Sequence, residues 1–137
     1  MFKKFRVMTV VALVAFAVTV TVGGLTAAED KVPTVSEIMK LGHAGGKSLI
    51  AKVKTAVKGE KWDDAKVPAD ALKVFGDALG KNKPEKGDAD SWKKLTDKYK
   101  TNTTAAAAGV EKKDAAAVTA ALGKIGGSCK ECHDSHK

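Results

Sequence analysis

Arginine is scarce in this chain: Arg6 is the only one among the 24 basic residues of a sequence of 137. Proteins that bind nucleic acid use the planar arginine fork to contact phosphates and base edges, which a lysine ammonium reproduces poorly. The composition therefore argues against a nucleic acid as a partner. The abundant lysines are explained most simply as a solvated surface, and attraction of an acidic protein partner is the alternative.

Long hydrophobic runs are equally scarce, because only residues 7–22 form one. This run follows Lys3, Lys4 and Arg6 and precedes the small residues that end at Ala28. The order of basic, apolar and small segments is typical of a secretory signal peptide. An uncleaved membrane anchor is the alternative, but the sixteen residues of the run fall short of the roughly 20 that cross a bilayer.

Cleavage after Ala28 would divide the chain into a signal peptide, 1–28, and one domain, 29–137. We therefore expect an exported, periplasmic protein. No other stretch of the sequence is apolar enough to span a membrane, so we expect no stable membrane span after cleavage.

Strand patterns are missing as well, since no segment alternates apolar and polar residues. Four segments instead place apolar residues at helical spacing. The first begins at the Thr34 cap and ends near Lys58, the second lies within 61–79, the third spans about 90–112, and the fourth follows an Asp114 cap. Short connections between such helices predict an all-α fold, an antiparallel up-down-up-down four-helix bundle.

Three glycines, Gly42, Gly45 and Gly46, lie inside the predicted first helix. Each lowers helix stability by roughly 1 kcal/mol relative to alanine. A helix tolerates such residues where a bulky group must approach its backbone closely. We therefore expect a large ligand beside this part of the first helix.

Cysteine is limited to Cys129 and Cys132, and His133 follows the second directly. This spacing is the one used for covalent c-type haem attachment. Both thiols can add to the haem vinyl groups, and the adjacent imidazole can bind the iron as proximal ligand. Two alternatives remain: a disulfide, which leaves His133 without a role, and a zinc site that adds His136 as fourth ligand.

The opposite face of the iron has two candidate ligands in the predicted first helix. In an up-down bundle the first and last helices are antiparallel neighbours, so Met39 lies at the level of His133. Met39 is also the only methionine that remains after residue 28. His43 lies one turn further along the same face and is the second candidate. An open iron face is the third possibility.

The terminal segment 129–137, CKECHDSHK, together with Ile38-Met39-Lys40, resembles the class II c-type cytochromes, the cytochrome c′ family. The resemblance extends over the whole chain after residue 28. It implies a four-helix bundle with one covalently attached haem c, and dimerisation through the first two helices in many members. Two positions depart from the family pattern: His136 stands where an aromatic residue is common, and Lys137 where arginine is common.

The family has a low-spin branch and a high-spin branch. Met39 resembles the methionine of the low-spin branch, and this resemblance implies that the chain is similar to that branch. Low-spin members transfer electrons with His/Met-ligated haem. High-spin members leave the distal face open and bind small gases such as NO and CO, for sensing or detoxification. We therefore expect a periplasmic monohaem electron carrier with redox protein partners, with gas binding as the alternative. An enzymatic, peroxidase-like activity is disfavoured, because no distal arginine remains after residue 28.

Overall fold

The computed structural model describes residues 31–137, so the predicted signal peptide, 1–28, and the first two residues of the predicted domain lie outside the described residues. Within 31–137 the chain forms α-helices and no strand. None of these helices combines the length and the apolar character that a membrane crossing requires. The helices are α1 (Val35–Gly42), α2 (Leu49–Lys58), α3 (Trp62–Leu79), α4 (Ala89–Glu111) and α5 (Ala115–His136).

The predicted first helix is interrupted, and this is the main correction to the sequence analysis. It begins at the Thr34 cap and ends before Gly59 as expected, but it breaks between α1 and α2. Gly45 adopts a φ of +74° in the break, a conformation that glycine reaches at little cost. Ser48 then starts α2 by accepting a hydrogen bond from the backbone N–H of Ala51 at 3.3 Å. The glycines therefore end a helix instead of lying inside one.

The starts of α4 and α5 agree with the sequence prediction because side-chain caps mark them. Asp88 accepts a hydrogen bond from the backbone of Ser91 at 2.7 Å and starts α4. Asp114 starts α5 by accepting one from the backbone of Ala117 at 3.0 Å. Both satisfy amides that have no partner within their helix. Pro68 lies inside α3 without ending it.

The helices pack as a bundle around a continuous apolar core. Helix α3 packs against α4, α4 against α5, and α2 against both α3 and α5. The short helix α1 packs mainly against α3. The all-α bundle is therefore confirmed, with its first helix in two parts. The largest fully buried side chains are Ile38, Val53, Leu72, Thr103, Val118 and Ile125.

Helices α3 and α4 approach closely where Gly76 meets Thr103. A Cβ at Gly76 would overlap the Thr103 hydroxyl and lie 3.2 Å from the Cα of Lys100. The absence of a side chain at this position thus permits the two backbones to come together. The contact orients α4, which carries residues of the site described below.

Candidate haem-binding site

A cavity of about 530 Å³ lies between α1 and the C-terminal half of α5. Its volume falls in the range of roughly 300–1,000 Å³ that is usual for ligand sites. Leu79, Trp92 and Ile125 supply apolar surface to its walls. A flat, largely apolar cofactor suits such a lining better than a hydrated ion does.

The predicted attachment segment forms one wall of this cavity. Cys129, Cys132 and His133 all line it from the last turns of α5. Both thiols are free, and the Cys129 thiol donates a weak hydrogen bond to the carbonyl of Ile125 at 3.5 Å. Burial raises the pKa of the Cys132 thiol, and the neighbouring charges of Cys129 and Glu131 add to this effect. Two thiols one helical turn apart beside an apolar cavity fit covalent attachment of a haem.

The zinc alternative receives no geometrical support in the part of the chain that the structure describes. Among residues 31–137, no group of three or more His, Cys, Asp or Glu side chains is arranged to hold a metal ion. Cys129, Cys132, His133 and His136 share one helix end but do not form such a group. A tetrahedral zinc site needs four converging ligands.

Met39 and His43 line the same cavity from α1 and its C-terminal cap. Met39 is half-buried and packs against the core. The backbone N–H of His43 donates to the carbonyl of Met39 at 3.1 Å, so a hydrogen bond joins the backbones of the two candidate iron ligands. The structure therefore brings together all five site residues predicted from the sequence: Cys129, Cys132, His133, Met39 and His43.

His43 has a hydrogen-bond partner inside the protein that the sequence did not indicate. Its Nε2 lies 2.8 Å from the hydroxyl oxygen of Tyr99 on α4, and the two rings are 5.5 Å apart. Burial lowers the pKa of His43, and the positive charge of His133 lowers it further. Burial also raises the pKa of Tyr99 well above its usual range, with a contribution from Cys129. At neutral pH the tyrosine hydroxyl is therefore protonated and the imidazole is neutral, so a single hydrogen bond joins them and the histidine tautomer sets which group donates.

His136 is the residue whose role the sequence analysis missed. In the sequence analysis it was considered only as the fourth ligand of a zinc site and as a departure from the family pattern, but in the structure it lines the cavity and is only 4 % exposed. Its Nδ1 lies 2.9 Å from the carbonyl of Lys86, and its Nε2 lies 3.0 Å from the hydroxyl of Ser91. Because a carbonyl only accepts, Nδ1 carries the proton and Nε2 accepts from Ser91. The ring also meets the edge of Trp92 at a centroid distance of 5.3 Å.

The α3–α4 linker closes over this histidine. Gly87 has a φ of +88°, and a Cβ there would lie 2.5 Å from both the Nδ1 of His136 and the carbonyl of Ser135. Only glycine satisfies both constraints. The partners of His136 lie 45 and 50 residues away along the chain, so no local pattern in the sequence identifies this contact.

Charged side chains surround the opening of the cavity. Lys40, Glu85 and Lys137 line it and are exposed. Lys130, another exposed lysine of the attachment segment, pairs with Asp134 one turn later on α5. Exposed pairs of this kind contribute little to stability.

Residues 87–137 match the family model described as Cytochrome C'. No curated protein and no solved structure matches the chain. The matched range covers α4, α5 and the attachment segment, which is less than half of the chain, and it leaves out α1 with Met39 and His43.

The C-terminal part of the chain is therefore similar to the cytochrome c′ family, the class II c-type cytochromes. Proteins of this family bind one covalently attached haem c, so the predicted cofactor is confirmed at the level of the family. The thiols, the imidazole and the apolar walls of this chain fit that group. The assignment to one of the two branches depends on the distal side, which lies outside the matched range.

Proposed function

We propose that this protein is an exported one-electron carrier in which His133 and Met39 bind the two faces of a haem c iron. The observation that carries the proposal is that His133 and Met39 line one cavity from two different helices, α5 and α1. The family match supports the haem, and the tyrosine partner of His43 favours Met39 over His43 as distal ligand.

Each residue of the site has a separate task in this proposal. A bound haem c supplies a one-electron couple between ferric and ferrous iron. Cys129 and Cys132 hold the group by thioether links, which prevents its loss after export. His133 would hold the iron from α5, and Met39 would hold it from α1. A thioether ligand favours the ferrous state and so raises the reduction potential.

The surrounding protein limits the change that accompanies electron transfer. Trp92 and Ile125 are buried and exclude water from the cavity walls, which further raises the potential. His136 holds the end of α5 through two hydrogen bonds beyond its own helix. Because the helix that carries His133 is held at its end, little rearrangement is expected when the iron changes its oxidation state.

Absorption spectroscopy of the purified holoprotein tests the proposal directly. We expect low-spin bands in both oxidation states, the weak sulfur-to-iron band of the ferric form, and no CO binding to the native ferrous form. A high-spin spectrum that shifts at once with CO would favour the gas-binding alternative. Intact-mass analysis provides a second test, because we expect a chain that starts at Glu29 and carries the added mass of one haem.

A substitution at Met39 separates ligation from packing. We expect Met39→Ala to remove the sulfur-to-iron band and to allow CO binding. Val35→Ala is the matched control, because Val35 is a half-buried residue of α1 that lines the same cavity but offers no ligand atom. Retention of the band in Met39→Ala would exclude Met39 as the distal ligand.

A further inference from the structure

Two side chains of α1 and its cap are candidate ligands in the same cavity. Met39 and His43 both line it, and the backbone hydrogen bond between them keeps them close. Imidazole nitrogen is a good ligand for iron in either oxidation state, whereas thioether sulfur is a softer ligand that suits the ferrous state better. A site with both groups therefore needs a feature that disfavours the histidine.

Tyr99 provides such a feature through its hydroxyl group. The hydroxyl oxygen lies 2.8 Å from Nε2 of His43, and one hydrogen bond joins the two atoms. A neutral imidazole has one nitrogen lone pair in the plane of the ring, and the same lone pair is needed to bind a metal. Nε2 either accepts the hydroxyl proton with this lone pair or itself carries a proton that it donates to the hydroxyl oxygen. In both cases Nε2 has no free lone pair with which to coordinate iron.

The hydrogen bond is also held in place by the core. Tyr99 is only 6 % exposed and lies in the middle of α4, the helix that packs against both α3 and α5. Gly42, the residue before His43, is buried, and a Cβ there would lie 3.3 Å from the ring of Phe75. The backbone next to His43 thus packs against Phe75, and the His43 ring is hydrogen-bonded to Tyr99.

We propose that Tyr99 is a positioning residue that keeps His43 away from the iron and thereby selects Met39 as the distal ligand. This inference rests on the proposed function, since it has meaning only if Met39 binds the iron. It assigns to the tyrosine a role in ligand selection in addition to its packing in the core.

The test uses holoprotein in which the tyrosine loses only its hydroxyl. We expect Tyr99→Phe to raise the ratio of His43-ligated to Met39-ligated ferric protein about two- to tenfold, the effect of one buried hydrogen bond. Electron paramagnetic resonance distinguishes the two low-spin forms and detects small fractions of either. The double variant Tyr99→Phe/His43→Ala should restore the methionine signature of the parent protein.

A background without Met39 makes the competition easier to measure. In Met39→Ala, we expect the iron to be mainly high-spin, because Tyr99 still binds His43. Adding Tyr99→Phe should raise the low-spin to high-spin ratio about two- to tenfold, and adding His43→Ala as well should reverse the rise. Far-ultraviolet circular dichroism confirms that each variant is folded.

Ser91→Ala is the matched control. Ser91 is on the same helix as Tyr99 and also bonds a histidine that lines the cavity, His136. Its replacement should leave the ligand ratio unchanged. Equal ratios with and without the tyrosine hydroxyl would overturn the inference. A parent spectrum that lacks the methionine signature would instead overturn the proposed function, so the two failures are distinguishable.

Discussion

The end of the helix that carries the attachment segment depends on His136, and its removal is the most informative test of the structure. His136→Ala deletes two hydrogen bonds, to the carbonyl of Lys86 at 2.9 Å and to the hydroxyl of Ser91 at 3.0 Å. It also deletes the edge contact with Trp92 at 5.3 Å. All three partners lie outside α5, so the substitution separates the helix end from the rest of the bundle.

The expected loss follows from these contacts. Each hydrogen bond contributes about 0.5–1.5 kcal/mol, and the aromatic contact about 0.5–1.5 kcal/mol. We therefore expect His136→Ala to lower the free energy of unfolding by about 2–4 kcal/mol. This is a large share of the stability of a small domain. Urea unfolding of the holoprotein, followed by far-ultraviolet circular dichroism, measures it.

Two further variants make the measurement specific. Ser135→Ala is the control, because Ser135 is the exposed neighbour on the same helix end, and we expect a change within about 0.5 kcal/mol. Ser91→Ala removes one partner of His136. A double-mutant cycle of Ser91 and His136 should give a coupling energy of at least about 0.5 kcal/mol. If His136→Ala and Ser135→Ala unfold at the same urea concentration, the assigned contacts do not hold the helix end.

Two other predictions concern helix packing and helix capping. Gly76→Ala should destabilise the protein by about 1–3 kcal/mol in a urea titration, because a Cβ would overlap Thr103. Gly123→Ala has no atom within 4 Å of the added Cβ and should instead be neutral or stabilising by up to about 1 kcal/mol. Equal effects of the two would refute the close approach. Hydrogen bonds from the backbone and side chain of Thr34 lower the pKa of Glu37, so this carboxylate stabilises the fold above its unfolded value near 4.5 and loses that contribution as the pH falls through the lower folded pKa. Thermal melts between pH 5 and 3 should show a smaller decline for Glu37→Gln than for the parent, and parallel declines would contradict the capping box.

The sequence was most informative where the determinants are local. The Thr34 and Asp114 caps each lie within three residues of the amides that they bind, so the starts of α1 and α5 were predictable. The attachment motif is equally local, since Cys129, Cys132 and His133 fall within five consecutive residues. The family match over residues 87–137 supports that prediction.

The break between α1 and α2 shows where local reasoning was insufficient. The apolar spacing continues through the break, which predicted one helix from Thr34 to near Lys58. The glycines signalled either close packing or an interruption, and their propensity does not distinguish the two. In the structure, Gly45 has a positive φ and Ser48 caps a new helix, so the helix is interrupted between them.

What the sequence determined by itself is the all-α class, the capped starts of α1 and α5, the attachment motif and the chemistry of its candidate ligands, because spacing and capping act over a few residues. The tertiary structure decided which side chains meet in the cavity. Tyr99 contacts His43 across 56 residues, and His136 contacts Lys86 across 50. Such pairs form only when the helices pack, because packing brings groups on separate helices within hydrogen-bond distance. Local sequence patterns do not predict these contacts.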